Sequence, residues 1–388
     1  MTRRASILVV GGGVIGASVA WHLAQRGHRD VVILDSGSGP GSGSTGRAMG
    51  GFRGQFSTAI NVQLSLLSRP KLMQLADETG VDARIRPVGY LFLAHDQDAL
   101  ARLESARSVQ LATGLLEPRA LTPAEAHAIN PQVTMDDVVG AVWCPTDGTI
   151  RPLEILRGYL TDAARLGVSV QWGERVRRMD RDAQGRVISV HTDHESWQVG
   201  QVVNAAGPWA AAVAAMVDFD LPVRAARQQI AVTAPLSELS DRFPMTIWTR
   251  DGFHLRVRDG RALLNRPTPS TDEVPEELSV DESWVDATWA LAQSRVPGLA
   301  RAELDAGAHW AGFYEMSPDK TAVLGAVPGC ENLILVNGSS GHGVMHSPIL
   351  GQLAAELLLD GRISSLDARA LRPERFAEGD LNPVSDLL

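Results

Sequence analysis

Near the start of the chain a glycine turn joins a short apolar run to a helical period. Ile7 to Val10 lead into Gly11-Gly12-Gly13-Val14-Ile15-Gly16, and Ile15 to Arg26 place Val19, Leu23 and the intervening alanines on one side before Gly27 stops the pattern. A continuous apolar run of this length suits a parallel strand buried on both faces. A second run, Val31 to Leu34, ends at Asp35, nineteen residues past Gly16. The spacing gives each glycine its own role, with a tight turn at Gly11, backbone approach to a pyrophosphate at Gly13 and close helix packing at Gly16. Val14 and Ile15 open the helix, whose N-terminus attracts negative charge. Asp35, with Ser36 beside it, is placed to accept hydrogen bonds from ribose hydroxyls. Strand, turn, helix and acid together predict a dinucleotide site, which the glycine spacing alone does not.

At 388 residues the chain fits two domains, or one α/β body with a second layer inserted. A net charge of −9 argues against a phosphate-coating surface, so nucleic acid is not an expected partner. Lys71 and Lys320 are the only lysines, which leaves few for catalysis. Cys144 and Cys330 lack metal-ligand spacing and cannot form a disulfide framework, so no metal site is expected and a reducing compartment is. The first residues run straight into the opening strand without the apolar region of a leader. No run reaches the ~18 apolar residues of a membrane span, Ala210 to Val217 being far too short. The expectation is a cytoplasmic protein.

Residues 36–54 are rich in glycine and serine, and such a run directly after the second strand of a βαβ unit reads as a ligand-approaching loop rather than a linker. Helical periods follow at Val62 to Thr79, restarted or kinked at Pro70, at Ala99 to Ala112, at Thr122 to Asn130 with its Thr-Pro start, and at Leu153 to Leu166. Strand patterns occupy Val88 to Ala94, Val168 to Val176, Val187 to His191 and Gln201 to Ala205. Between Val223 and Leu264 strands dominate, at Ile230 to Thr233, Met245 to Trp248, Phe253 to Val257 and Ala262 to Leu264. Turn signals such as Asp251-Gly252 and Asp259-Gly260 separate them, which predicts an antiparallel sheet inserted into an α/β chain. Leu333 to Val336 restores the buried-strand pattern, followed by glycines and a helix from Pro348 to Leu359.

FAD and NAD both use the opening unit, and three later clusters favour FAD. Ser44, Thr45, Arg47, Gly50, Gly51 and Arg53 supply hydroxyls, backbone N–H groups and two guanidinium groups just after the ribose-binding strand. Asn204-Ala205-Ala206-Gly207-Pro208-Trp209-Ala210 ends a strand in small residues, as close backbone approach requires, with Ala206, Gly207 and Trp209 as candidate contacts. Gly338-Ser339-Ser340-Gly341-His342-Gly343 sets a second glycine turn before a second helix. Gly338, Ser340, Gly341, His342, Gly343 and the adjoining Val344 and Met345 are its candidate cofactor contacts.

In this order the four clusters resemble the D-amino-acid oxidase superfamily of FAD enzymes, from the first strand to about Asp360. The likeness is greatest to the branch of sarcosine oxidases, dimethylglycine dehydrogenases, glycine oxidases and proline dehydrogenase β-subunits. It implies an α/β fold: a Rossmann-type FAD-binding domain at 1–86, 146–217 and 319–388, with an inserted, mainly antiparallel-sheet substrate domain at 87–145 and 218–318. It further implies that the turn at 338–343 lies against the isoalloxazine ring, that 204–210 contacts the cofactor, and that the strand holding Val176 meets adenine. The inserted sheet would face the flavin across a small amino-acid-like substrate. Its carboxylate needs a planar, bidentate donor, for which Arg53 and Arg256 are the candidates. His254 shares a strand face with Arg256 and is a candidate to polarise the substrate or keep its amine neutral; a partly exposed strand histidine is the plain alternative. His342 and His346 carry the same two readings, and Tyr314, read as following a strand, is a hydroxyl donor or a core residue.

The chain also departs from that branch. Monomeric sarcosine oxidases attach FAD through a cysteine in the segment that Gly312 to Asp319 resembles, which holds none here; Cys330 lies farther on in a turn, so FAD is expected to be non-covalent. Met345 stands where those enzymes hold the carboxylate with a lysine, and neither Lys71 nor Lys320 has a claim to their oxygen-activating lysine. The resemblance implies oxidation of the C–N bond of a small amino acid, sarcosine-like or other, by hydride transfer to flavin N5, giving an imine that hydrolyses. An FAD-dependent 2-hydroxy-acid oxidase or dehydrogenase and a non-catalytic flavin-binding subunit or assembly factor stay open. So do a homo-oligomer and a partner protein as electron acceptor.

Overall fold

The apolar runs read from the sequence meet at the centre of one sheet. In a computed structural model, which describes residues 2–268, 278–384 and 387, Thr2–Val10 pairs in parallel with Val31–Asp35 on one side and Ser196–Asn204 on the other. Ser169–Trp172 continues beyond Val31–Asp35 and Cys330–Asn337 beyond Ser196–Asn204, both parallel, and Val323–Val327 closes that edge antiparallel. Val176–Arg181 and Val187–Thr192 form an antiparallel ribbon on the first half of Ser196–Asn204. Both faces of the sheet are covered, the physical reason these strands read as continuous apolar runs. On one face Val14–Gln25, Ala59–Thr79, Pro152–Arg165 and Gly343–Asp360 share a core with Ile7, Val9, Ile33, Val203 and Val336. On the other, Leu8, Val10, Leu34, Val202 and Leu335 pack with the ribbon and the short helix Ala210–Ala215.

A second sheet runs in the order Trp310–Met316, Arg224–Val232, Arg261–Asn265, His254–Arg258, Met245–Trp248, Tyr90–Ala94, Gly140–Cys144 and Arg119–Leu121. Its pairs are antiparallel except that of Met245–Trp248 with Tyr90–Ala94. Strand alternation divides its side chains between two environments. Leu91, Leu93, Leu255, Val257 and Leu264 pack on the helix Glu282–Arg295 through Trp284, Val285 and Ala292. Tyr90, Phe92, Met245 and Ile247 take the opposite face, where the register sets Ile247 beside both Phe92 and His254. Gly51–Phe52, paired with Gly148–Thr149, lies against this face so closely that a Cβ on Gly51 would strike the Tyr90 hydroxyl.

Five local expectations change. Val168 to Val176 is not one strand, because Gly173 takes φ +77° and turns the chain between Ser169–Trp172 and Val176–Arg181. The last helix begins at Gly343, directly on the glycine turn, and carries Pro348 inside it. The Val344 carbonyl, deprived by Pro348 of its helical donor, accepts from the Ser347 hydroxyl at 2.9 Å instead. Tyr314 lies within Trp310–Met316 rather than after it, and Cys330 opens a strand rather than occupying a turn. The helix Glu282–Arg295, capped by Asp281, has no counterpart among the helical periods of the sequence.

Candidate cofactor and substrate site

The C-terminal ends of the parallel strands and both glycine turns open on one cavity of about 520 Å³. Gly11 has φ +110° and a Cβ there would overlap the Ala205 carbonyl, so the first turn needs glycine twice over. A Cβ at Gly16 would overlap the Gly11 carbonyl, whereas one at Gly13 would meet only Thr45 Oγ1 at 3.4 Å. Gly16 therefore serves packing, and the Gly13 backbone faces the cavity. The helices Val14–Gln25 and Gly343–Asp360 both begin here with no side-chain bond from the residue that precedes them and no acid in the first turn. Their free N–H groups make two positive ends on one cavity. Asp35 accepts from Gly12 N at 2.6 Å and Gly37 N at 2.7 Å, and Thr45 Oγ1 accepts from Val14 N at 3.1 Å, tying the loop after the second strand to the turn.

Of the sequence-derived cofactor residues, the opening turn lines the cavity through Gly11, Gly13, Val14 and Ile15, and the loop after the second strand through Asp35, Ser36, Ser44, Thr45 and Arg47. Val176, Ala206, Gly207 and Trp209 line it from one side, and Gly341, Gly343 and Val344 from the other. Gly16, Gly50, Gly51, Gly338, Ser340, His342 and Met345 do not line it. Ser340 instead braces the turn, its hydroxyl accepting from Ser317 N at 3.1 Å and donating to the Gly338 carbonyl at 3.0 Å, while Met345 is buried in the helical core. Ser44 Oγ, Ser339 Oγ and Glu315 Oε2 are buried lining atoms without a protein partner, as a polar cofactor threaded between the two turns requires. Among the described residues no cysteine lines the cavity, and Cys144 and Cys330 are both buried elsewhere.

The candidates for substrate contact gather beside the 49–55 loop. Arg53, 3% exposed, donates through Nη1 to the Gln55 carbonyl at 3.2 Å and through Nη2 to the Leu387 carbonyl at 2.6 Å. Its Nη2 lies 3.2 Å from His342 Nε2, and its guanidinium sits 4.4 Å over the Phe56 ring. Arg256, also 3% exposed, donates to the carbonyls of Met49, at 2.8 Å, and Gly50. Among the described residues neither guanidinium pairs with a carboxylate; burial, then the charge of Arg258, pushes Arg256 down to about 10. Burial also holds three imidazoles neutral: His254 near 4, with Nδ1 2.8 Å from the Gly252 carbonyl, His346 near 3, with Nε2 2.8 Å from Ser65 Oγ, and His342 well below its ordinary value. The Tyr314 ring lies on the second glycine turn, its phenol raised by burial.

Sequence reasoning missed Tyr90, Asp147 and Glu315. Asp147 is fully buried and accepts from Gly54 N at 2.7 Å and Gln55 Nε2 at 3.0 Å, holding the loop that carries Arg53; burial pushes its carboxyl up to about 6. Glu315 accepts from Ser339 N at 3.2 Å and is pushed up to about 7 by burial. Tyr90 lies in the continuous apolar run Tyr90–Ala94, buried on both faces, so no local pattern says which of its side chains meet the 49–55 loop.

Residues 6–357 match the family of FAD dependent oxidoreductases. The chain belongs to that family. This FAD-dependent oxidoreductase is 30% identical over 366 residues to the glycine oxidase of Geobacillus kaustophilus (strain HTA426), covering 92% of this chain and 94% of that one. It is 28% identical to FAD-dependent oxidoreductase domain-containing protein 1 of Xenopus laevis, over 96% of this chain and 83% of the other. Among solved structures, L-proline dehydrogenase from P. horikoshii superposes with a TM-score of 0.90 at 26% identity, covering 98% of this chain and all of that one (100%). The expected family, α/β fold and FAD cofactor are therefore findings.

Proposed function

We propose that this FAD-dependent oxidoreductase oxidises the C–N bond of a small α-amino acid, giving an imine that hydrolyses. The observation that carries the reading is the pair of buried guanidinium groups, Arg53 and Arg256, which flank the 49–55 loop without an anionic partner among the described residues. A buried cation left with neutral carbonyls is poorly compensated, and a carboxylate supplies what it lacks. Relatives named glycine oxidase and L-proline dehydrogenase support the same substrate class.

FAD, bound non-covalently, supplies the acceptor for the hydride leaving the substrate's Cα. Gly11, Gly13, Asp35, Ser44 and Thr45 would hold its nucleotide half, Val176 its adenine, and the Gly341–Val344 turn the flavin end. Arg53 and Arg256 orient the carboxylate. Their charges also disfavour an ammonium nearby, which keeps the amine neutral, the form from which a hydride leaves. Tyr314, held as a neutral phenol, offers a hydroxyl donor, while His254 and His342, held neutral, add no further positive charge.

The test is anaerobic mixing of the FAD-loaded protein with glycine, N-methylglycine, proline, leucine, D-amino acids and 2-hydroxyglutarate while flavin absorbance is followed. At least one amino acid is expected to bleach it. Arg53→Met is expected to raise the half-saturating concentration by about tenfold to a hundredfold, the loss of a charged hydrogen bond, with FAD retained. Bleaching by 2-hydroxyglutarate alone, or by none of these, overturns the reading.

A further inference from the structure

Arg53 already has an occupant. The Leu387 carbonyl accepts from its Nη2, and Leu387 itself, 5% exposed, belongs to a buried cluster that includes Tyr90, Phe92, Met245 and Ile247 of the sheet and Ala99, Leu103 and Ala106 of the helix Gln97–Thr113. Met245 stands beside Tyr90 and Ile247 beside Phe92 in the strand register, so these four side chains form one patch of the sheet face opposite the core. One residue thus sets an oxygen on the buried guanidinium and a branched aliphatic side chain in the apolar cluster that holds that patch. An α-amino acid would make the same two contacts with its carboxylate and its side chain.

The occupant is well placed to leave. A main-chain carbonyl is neutral and accepts a single bond from Nη2, whereas a carboxylate adds a negative charge and can accept two parallel N–H bonds from the guanidinium. The chain leading to Leu387 is held at Asn382, whose N and Nδ2 donate to Asp319 Oδ2 at 3.2 and 2.9 Å. Pro383 and Val384, just beyond that anchor, are exposed.

We infer that Leu387 stands in for the substrate: Arg53 and the patch of Tyr90, Phe92, Met245 and Ile247 form a subsite for an α-carboxylate carrying a leucine-sized aliphatic side chain, and that ligand displaces Leu387 on binding. The substrate class follows from the amino-acid reading above and narrows it.

Two non-oxidisable probes, acetate and 4-methylpentanoate, test this on the FAD-loaded protein, with Leu387→Ala and a chain ending at Asn382 as variants. Binding is read from the flavin absorbance, and displacement from hydrogen exchange of the 380–388 peptide in the unmutated protein. Burial of an isobutyl group predicts that 4-methylpentanoate binds at least about tenfold more tightly than acetate. Its binding speeds exchange in 380–388, and both variants bind both probes more tightly than the unmutated chain. Equal affinity for the two acids, unchanged exchange, or unchanged affinity in both variants overturns the inference. Displacement by 4-methylpentanoate without flavin reduction by any amino acid leaves the subsite standing and sinks the proposed reaction. Flavin reduction by amino acids with no response of the 380–388 peptide does the reverse.

Discussion

At Gly341 the backbone takes φ +86°, and a Cβ would meet the Tyr314 ring at 2.8 Å. A side chain there costs about 1–2 kcal/mol for the left-handed backbone alone, before the ring has to move. Gly341→Ala is therefore expected to weaken FAD binding by about tenfold or more, measured by titrating FAD into the stripped protein. An unchanged affinity would remove the second turn from the cofactor site. Gly341 and Arg53 could be singled out in the sequence because glycine and arginine stand at marked places in a motif. Asp147 could not be, because Thr146-Asp147-Gly148 has the composition of any exposed turn, and only the fold buries its carboxylate against Gly54 and Gln55.

Between elements, the buried pair of Asp319 and Arg375 joins the loop after Trp310–Met316 to the short helix Arg375–Glu378. Arg375 Nε and Nη2 reach the two oxygens of Asp319 at 2.8 and 3.0 Å, and both side chains are wholly buried. Asp319→Ala leaves the guanidinium without its partner, a loss of about 3–5 kcal/mol. A clear drop in the thermal midpoint is expected, largely recovered when Arg375→Met is added. A midpoint unchanged by Asp319→Ala would show that the pair contributes little. The strands and most helices were legible through periodicity. Glu282–Arg295 was missed although Trp284, Val285 and Ala292 fall at helical spacing with partly buried Trp289 and Leu291 bordering the same stripe, because the polar Thr288 sits at the middle of that stripe.

Across the whole molecule, buried titratable groups set opposing pH dependences. His22, His254, His346 and His342 are depressed, to about 4, about 4, about 3 and well below 6.5, with burial the leading cause. Their contribution to stability is complete above the unfolded value of 6.5 and is lost as pH falls toward those folded values. Asp147 and Glu315 are raised, to about 6 and about 7, so their contribution is complete at low pH and is lost as pH rises through that range. The histidines outnumber the acids, and the thermal midpoint is expected to fall between pH 7 and pH 5. His346→Gln should flatten that slope, and a midpoint that rises on acidification would contradict the assignment.

By itself the sequence determined the dinucleotide turn, the apolar runs and the antiparallel stretch, because glycine geometry and side-chain period act over a few neighbouring residues. The tertiary structure alone decided that Ile230, Asn265 and Tyr314 of the second sheet meet the cavity, that the second turn starts its helix at Gly343, and that Leu387 comes to rest on Arg53. Those outcomes depend on residues hundreds of positions apart competing for the same buried volume, and no local pattern records that competition.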